Sequence, residues 1–225
     1  MPRVLRRPFP LVAACVVITA LLAVIVRGHN AVTRFDADVV RELADHRSTT
    51  VVDLARAVTH LGAGLVLTVV LVALCVGLLV LRVLPLRAAV GPLIALEAAV
   101  LLVPLAKSIV GRPRPPAALH EVVEHSSGFP SGHSMQAAAG WLTLGLVVAV
   151  AGRWTGRSSE SAPDRPAQAP PRWPLLVAAL IVLLVGLSRV VLSVHSPTDV
   201  LAGWLLGLSV AVVTVVLLVP ARARR

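Results

Sequence analysis

Six apolar stretches, at about 9–27, 63–83, 88–107, 134–152, 174–194 and 200–220, constrain this chain of 225 residues more than any other feature. Each is long enough to cross a hydrocarbon layer about 30 Å thick, which takes roughly 20 apolar residues in helical form. Within a bilayer every backbone N–H and C=O needs a partner inside the protein, and a helix supplies those partners locally. The pattern therefore predicts an all-α chain, a single domain over 1–225 built as a six-transmembrane-helix bundle. Composition agrees, because 57% of the residues are hydrophobic and only 14% are charged, too apolar for a water-soluble domain.

The formal net charge of +10 would suit nucleic acid if the basic residues shared one soluble face. They lie instead in short clusters between apolar runs, so the bilayer is the expected partner and nucleic acid is not. Arginines near both termini and in the connections around 82–87 and 153–172 place those segments, and both termini, in the cytoplasm by the positive-inside tendency. Helix parity then sends the connections at 28–62, 108–133 and 195–199 to the extracytoplasmic face. Arg3, Arg6 and Arg7 before the first apolar run resemble a secretory signal. No small-residue cleavage site follows, so the segment is expected to stay as an anchor. Cys15 and Cys75 fall inside apolar runs and predict neither a disulfide nor a metal site.

Residues 28–62 interleave charged side chains with Phe35, Val39, Val40 and Leu43 at helical spacing. They read as a polar amphipathic connection, either one or two helices on the membrane surface or a plain connecting hairpin. The stretch 153–173 has no apolar periodicity and reads as a flexible cytoplasmic loop. Glu97, at bilayer depth in the third apolar run, is expected to face the bundle interior, since exposing an acid to lipid is costly.

Three polar clusters close the apolar runs, and the helix count brings all three to one membrane face. Lys107-Ser-Ile-Val-Gly-Arg112-Pro-Arg114-Pro115 leaves the third run, Pro130-Ser131-Gly132-His133 opens the fourth, and Ser188-Arg189 with His195-Ser-Pro-Thr-Asp199 joins the fifth to the sixth. Lys107, Arg112, Arg114 and Arg189 form a cationic cup, and arginine's planar fork of donors suits phosphate oxygens. Ser131 and Gly132 precede a helix whose first N–H groups point at whatever anion approaches; Ser131 also suits a plain N-cap. His133 and His195 titrate near neutral pH and supply acid–base or nucleophilic capacity. Asp199 follows His195 by one helical turn, where its carboxylate can orient the imidazole, while Ser196, Pro197 and Asp199 also read as a helix cap.

In order, these clusters resemble the signature of the type 2 phosphatidic acid phosphatase (PAP2) superfamily. Its K-x6-R-P is met by Lys107, Arg114 and Pro115, its P-S-G-H by Pro130 to His133, and its S-R-x5-H-x3-D by Ser188, Arg189, His195 and Asp199. The resemblance implies a six-helix membrane enzyme that hydrolyses a lipid phosphate or pyrophosphate without metal or other cofactor. Candidates are undecaprenyl pyrophosphate, phosphatidic acid and phosphatidylglycerol phosphate. It also implies that His195 attacks phosphorus to form a phosphohistidine with Asp199 behind it, and that His133 protonates the leaving alkoxide. Lys107, Arg114, Ser131, Gly132 and Arg189 would hold the phosphoryl oxygens, with Arg112 an accessory contact outside the strict signature. The alternatives are a membrane anion transporter or channel without hydrolysis, a vanadate-dependent haloperoxidase on the same fold, and a scaffold with a decayed site. The first leaves the two histidines unexplained, and members of the second are typically soluble. Complete motifs argue against the third, and oligomeric state is not legible.

Overall fold

The computed structural model describes residues 8–151 and 171–218. Among them are nine α-helices and no strand: α1 Pro8–Ile25, α2 Ala31–His46, α3 Thr49–Thr59, α4 Gly64–Val80, the short α5 Leu86–Ala89, α6 Gly91–Val110, α7 Gly132–Ala149, α8 Trp173–Val191 and α9 Pro197–Leu218. The expected apolar runs reappear as α1, α4, α6, α7, α8 and α9. The N-terminal arginine cluster lies outside the described residues, and so does the polar stretch at 153–173 except for its last three positions.

Four described segments are long and apolar enough to cross a membrane: α1, Leu86–Val110, α8 and α9. Thr49–Gly62 and Gly64–Val80, bent by 63° at their junction, add a fifth if the bent pair is one span. Helix α7, the expected fourth span, is polar in its first two turns, where His133, Ser134 and Gln136 stand. It is also the most enclosed helix, with Met135, Ala137, Ala138, Ala139, Thr143 and Val147 all 1% exposed or less. It forms the axis of the bundle, while α1 turns Val16, Val17, Leu21 and Val24 outward.

Lipid tails are as apolar as leucine, so helices in a bilayer associate through close packing rather than through escape from water. Gly203 and Gly207, one turn apart on α9, let its backbone lie against that of α7. A Cβ at Gly203 would stand 2.6 Å from the Ser131 carbonyl oxygen, and one at Gly207 2.4 Å from that of Met135. Because the obstruction is backbone, Gly207→Leu forces the two helices apart. It is expected to cost about 1–3 kcal/mol or more, read as a lowered thermal midpoint in detergent. An unchanged midpoint would show that this contact is not tight.

Residues 28–62 fold into α2 and α3 rather than a plain hairpin. Asn30 caps α2, its Oδ1 accepting from the N–H of Val32 and Thr33 while Thr33 Oγ1 accepts from the Asn30 N–H. The phase of α2 differs from the apolar spacing, since Phe35 is 60% exposed whereas Asp36 and Val40 are buried. Glu97 also departs from expectation and is exposed on α6. The inner face of that helix is taken by Ala95, Ala99 and Val103, which pack on Met135 and Ala139 of α7 and turn Glu97 outward. Cys15 and Cys75 are both free and buried.

Candidate active site

The site is assembled where helices end. Helix α6 stops at Gly111, whose φ of 64° is a left-handed turn that a residue without Cβ adopts at little cost. The turn brings Arg112 and Arg114 back over the bundle, and the Arg112 carbonyl accepts the Gly128 N–H at 2.7 Å. Ser131 caps α7 through its hydroxyl oxygen, while its own N–H donates to the Asp199 carbonyl at 2.9 Å. Pro197 starts α9, and in its first turn Asp199 Oδ2 accepts the Ser196 N–H at 2.9 Å. The α6–α7 connection is thereby closed on itself and joined by a backbone bond to the start of α9.

His195 stands at the centre, 1% exposed. Its Nδ1 is 3.5 Å from Asp199 Oδ2, and its Nε2 is 3.1 Å from Arg114 Nη1. A guanidinium has donors only, so Nε2 is the acceptor and the ring proton belongs on Nδ1, facing Asp199. Nε2 is then left with an unprotonated lone pair beside a cation.

Burial pushes His195 down to about 4, against the opposing pull of Asp199. The ring is therefore neutral at physiological pH. Linkage follows from the direction of this shift: between about pH 4 and the ordinary value of 6.5, the unfolded chain binds a proton that the folded one does not. Stability rises with pH across that window and is lost as pH falls through it. The thermal midpoint in detergent is expected to drop between pH 7 and pH 5, with a smaller drop for His195→Gln. Equal drops would assign the effect to other groups.

Around the Nε2 side lies the cationic cup. Arg114 donates to the carbonyls of Val194 (2.7 Å) and Ser126 (2.6 Å) and, through Nη2, to Glu124 Oε2 at 3.1 Å. Arg189, only 2% exposed, donates through Nη1 to Thr59 Oγ1 at 2.8 Å and through Nη2 to Glu124 Oε1. Among the described residues its buried Nε has no hydrogen-bond partner. One carboxylate, Glu124, thus lies between two guanidinia. Its burial disfavours charge, but the attraction of Arg189 and Arg114 prevails and holds its carboxyl below the usual range. Lys107 Nζ donates to the Ser127 carbonyl. His133, the second residue of α7, is close enough for the charges of Arg189, Glu124, His195 and Arg114 to act on it.

Lys107, Arg114, Ser131, Gly132, His133, Arg189, His195 and Asp199 therefore meet at one end of the bundle. Arg112 turns its terminal nitrogens to side chains of the protein. Its Nη1 donates to Asp199 Oδ1 at 2.6 Å and to Thr198 Oγ1 at 2.8 Å, and its Nη2 to Asp36 Oδ2 at 2.8 Å. Two buried carboxylates claim both ends of its fork, so it stands behind Asp199 instead of in the cup.

Asp36, Glu124 and Thr59 did not emerge from the sequence. Asp36 left a faint trace, an acid one turn before Val40 on the buried face of an amphipathic helix. Glu121 joins the same loop to Arg47, which ends α2, and to Arg56 of α3, each at 2.8 Å. Beside the site, Val26, His29, Thr33, Val40, Arg114 and Ser196 contribute to the lining of a cavity of about 360 Å³.

A family model for the PAP2 superfamily matches residues 88–223. Phosphatidylglycerophosphatase B of Bacillus subtilis is 36% identical over 87 residues, covering 39% of this chain and 37% of the relative. An undecaprenyl-diphosphatase of Sulfolobus acidocaldarius is 30% identical over 114 residues, covering 48% and 45%. The matched stretches thus span less than half the length of either curated relative. The crystal structure of a transmembrane PAP2-type phosphatidylglycerolphosphate phosphatase from Bacillus subtilis superposes with a TM-score of 0.75 at 28% identity, covering 90% of this chain and 93% of that one. LpxE of Aquifex aeolicus shares the fold, with a TM-score of 0.57 at 21% identity over 79% and 93% of the two chains.

Proposed function

Because this chain belongs to the PAP2 superfamily, we propose that it is a multi-pass membrane phosphatase that removes phosphate from a lipid phosphate or pyrophosphate through a phosphohistidine on His195. The observation that carries this reading is the pair of contacts on one imidazole. Asp199 lies at Nδ1 and Arg114 at Nε2, which makes Nε2 the nucleophilic nitrogen and puts it against an anion-binding cation.

Arg114, Arg189 and Lys107, with the N–H groups opening α7, hold the non-bridging phosphoryl oxygens. Nε2 attacks in line, the N–P bond forms as the P–O bond to the lipid breaks, and His133, made an imidazolium by the negative charge of the bound phosphate, gives its proton to the departing oxygen. Asp199 stabilises the positive charge that grows on His195. Water then attacks phosphorus, the N–P bond breaks, and the water's proton passes to His133, restoring the starting state. Fixed cations already balance the charge on the transferring group, so no step calls for a metal ion.

We place the whole chain, 1–225, as one domain crossing the membrane six times, with the termini and the 153–173 connection in the cytoplasm and the site outside. Lys107, Arg114 and Arg189 lie at the face where the positive-inside tendency would not put them unless they had an anion to bind. The outward apolar residues Phe35 and Leu54 of α2 and α3 suit helices resting in the headgroup layer, next to lipid-borne phosphate. The cavity beside Arg114 gives room for the headgroup remainder. The relatives' names point to phosphatidylglycerol phosphate and undecaprenyl diphosphate as the first substrates to test, with phosphatidic acid beside them. The test is phosphate release by the purified protein in detergent with chelator. Absence of release from all three, with anion flux across reconstituted vesicles, would favour the transporter reading instead.

A further inference from the structure

Behind the nucleophile runs a line of alternating charge: His195, Asp199, Arg112, Asp36. Asp199 turns Oδ2 to His195 and Oδ1 to Arg112, and Arg112 gives its other terminal nitrogen to Asp36. Thr198 fixes the far end, its N–H donating to Asp36 Oδ1 at 3.2 Å and its hydroxyl to Asp36 Oδ2. All of these groups are enclosed: Asp199 is 0%, Asp36 1%, Thr198 8% and Arg112 9% exposed.

A guanidinium paired with Asp199 alone would cancel its charge and leave it a weak counter-ion for His195. Cancellation is avoided when the same guanidinium meets a second carboxylate. Two carboxylates and one cation sum to a single negative charge, and the Asp199 oxygen that Arg112 does not engage, Oδ2, faces the imidazole while accepting the Ser196 N–H. We infer that Asp36 is a positioning residue for phosphoryl transfer: by engaging Arg112 from behind, it keeps Asp199 both oriented and negative toward His195. The inference rests on the phosphohistidine reading above.

The groups facing His195 are Asp199 on α9, Arg114 from the loop after α6, Arg189 on α8 and His133 on α7, with Glu124 between the two arginines and Lys107 beside them. Asp36→Asn keeps the shape and removes one negative charge, so the field at His195 becomes more positive and the ring loses its proton more readily. Arg112→Gln removes one positive charge and does the opposite. The two variants are therefore expected to move the acid limb of kcat/KM in opposite directions, Asp36→Asn to lower pH and Arg112→Gln to higher pH. A scaffold role gives no such opposition.

The full-length protein in detergent is assayed on phosphatidic acid micelles as wild type, His195→Ala, Asp36→Asn and Arg112→Gln. Asp36→Asn is expected to lower kcat roughly ten- to a hundredfold, with KM changed by less than about threefold. Limbs that move together or stay put, or a wild-type kcat in Asp36→Asn, overturn the inference. If one variant does not accumulate folded, the direction of the other's limb decides alone. A wild type that releases no phosphate from this or the other candidate lipids, or a His195→Ala variant that still does, sinks the phosphatase mechanism itself and the inference with it.

Discussion

Replacing His195 by alanine is expected to lower lipid-phosphate release by about 10⁴-fold or more and to remove any acid-labile phosphoenzyme trapped by rapid quench. The size of the effect follows from the geometry. Nε2 is a nitrogen lone pair that Arg114 holds at 3.1 Å, with a carboxylate on the far side of the same ring, and alanine puts no nucleophile in its place. The remaining cations still bind phosphate, so the variant should retain affinity for inorganic phosphate or vanadate while losing turnover. His195→Gln, which preserves more of the buried volume, guards against a loss caused by unfolding. Turnover within about tenfold of wild type would remove His195 from the reaction and leave the cup as an anion-binding site, the property shared with a transporter.

The second large effect concerns His133 and depends on the substrate. If His133 protonates the departing oxygen, His133→Ala should slow hydrolysis of an alkyl phosphate by about 10²- to 10⁴-fold. An alkoxide is too basic to leave unaided. Release of 4-nitrophenol from its phosphate should change far less, because that leaving group departs as a stable anion. The ratio of the two losses is the measurement, since it separates proton donation from ground-state binding. Equal losses on both substrates would make His133 a phosphate-binding group.

Much of this arrangement could be read from the chain. The six apolar runs marked the helices to within a few residues, because a bilayer fixes helix length. The four-residue spacing of His195 and Asp199 announced their closeness, which the turn entering α9 at Pro197 brings about, since His195 precedes the helix and Asp199 stands in its first turn. The phase of α2 was not legible: Phe35, Val39, Val40 and Leu43 suggested one apolar face, yet Asp36 points inward because buried Arg112 and Thr198 wait there. The partners of Arg112 were hidden for the same reason. Its partners, Asp199 and Asp36, lie 87 and 76 positions away, and periodicity reports which way a side chain faces within its own helix, not what it meets. Glu97 shows the converse, because a rule about the cost of exposing acids to lipid cannot tell which face of α6 the small residues of α7 will claim. Glu124 had no local signal at all, being an acid in a loop whose role is set by Arg114 ten positions earlier in that loop and by Arg189 on α8.

That carboxylate changes what affinity means at this site. With Glu124 seated between Arg114 and Arg189, a phosphate that takes the donors this carboxylate now holds has to trade places with a resident anion. The binding free energy measured for such a phosphate is then a difference between two anions' interactions with the same donors. The swap back is available at every turnover, so the product faces a competitor tethered to the same chain whose local concentration does not fall on dilution.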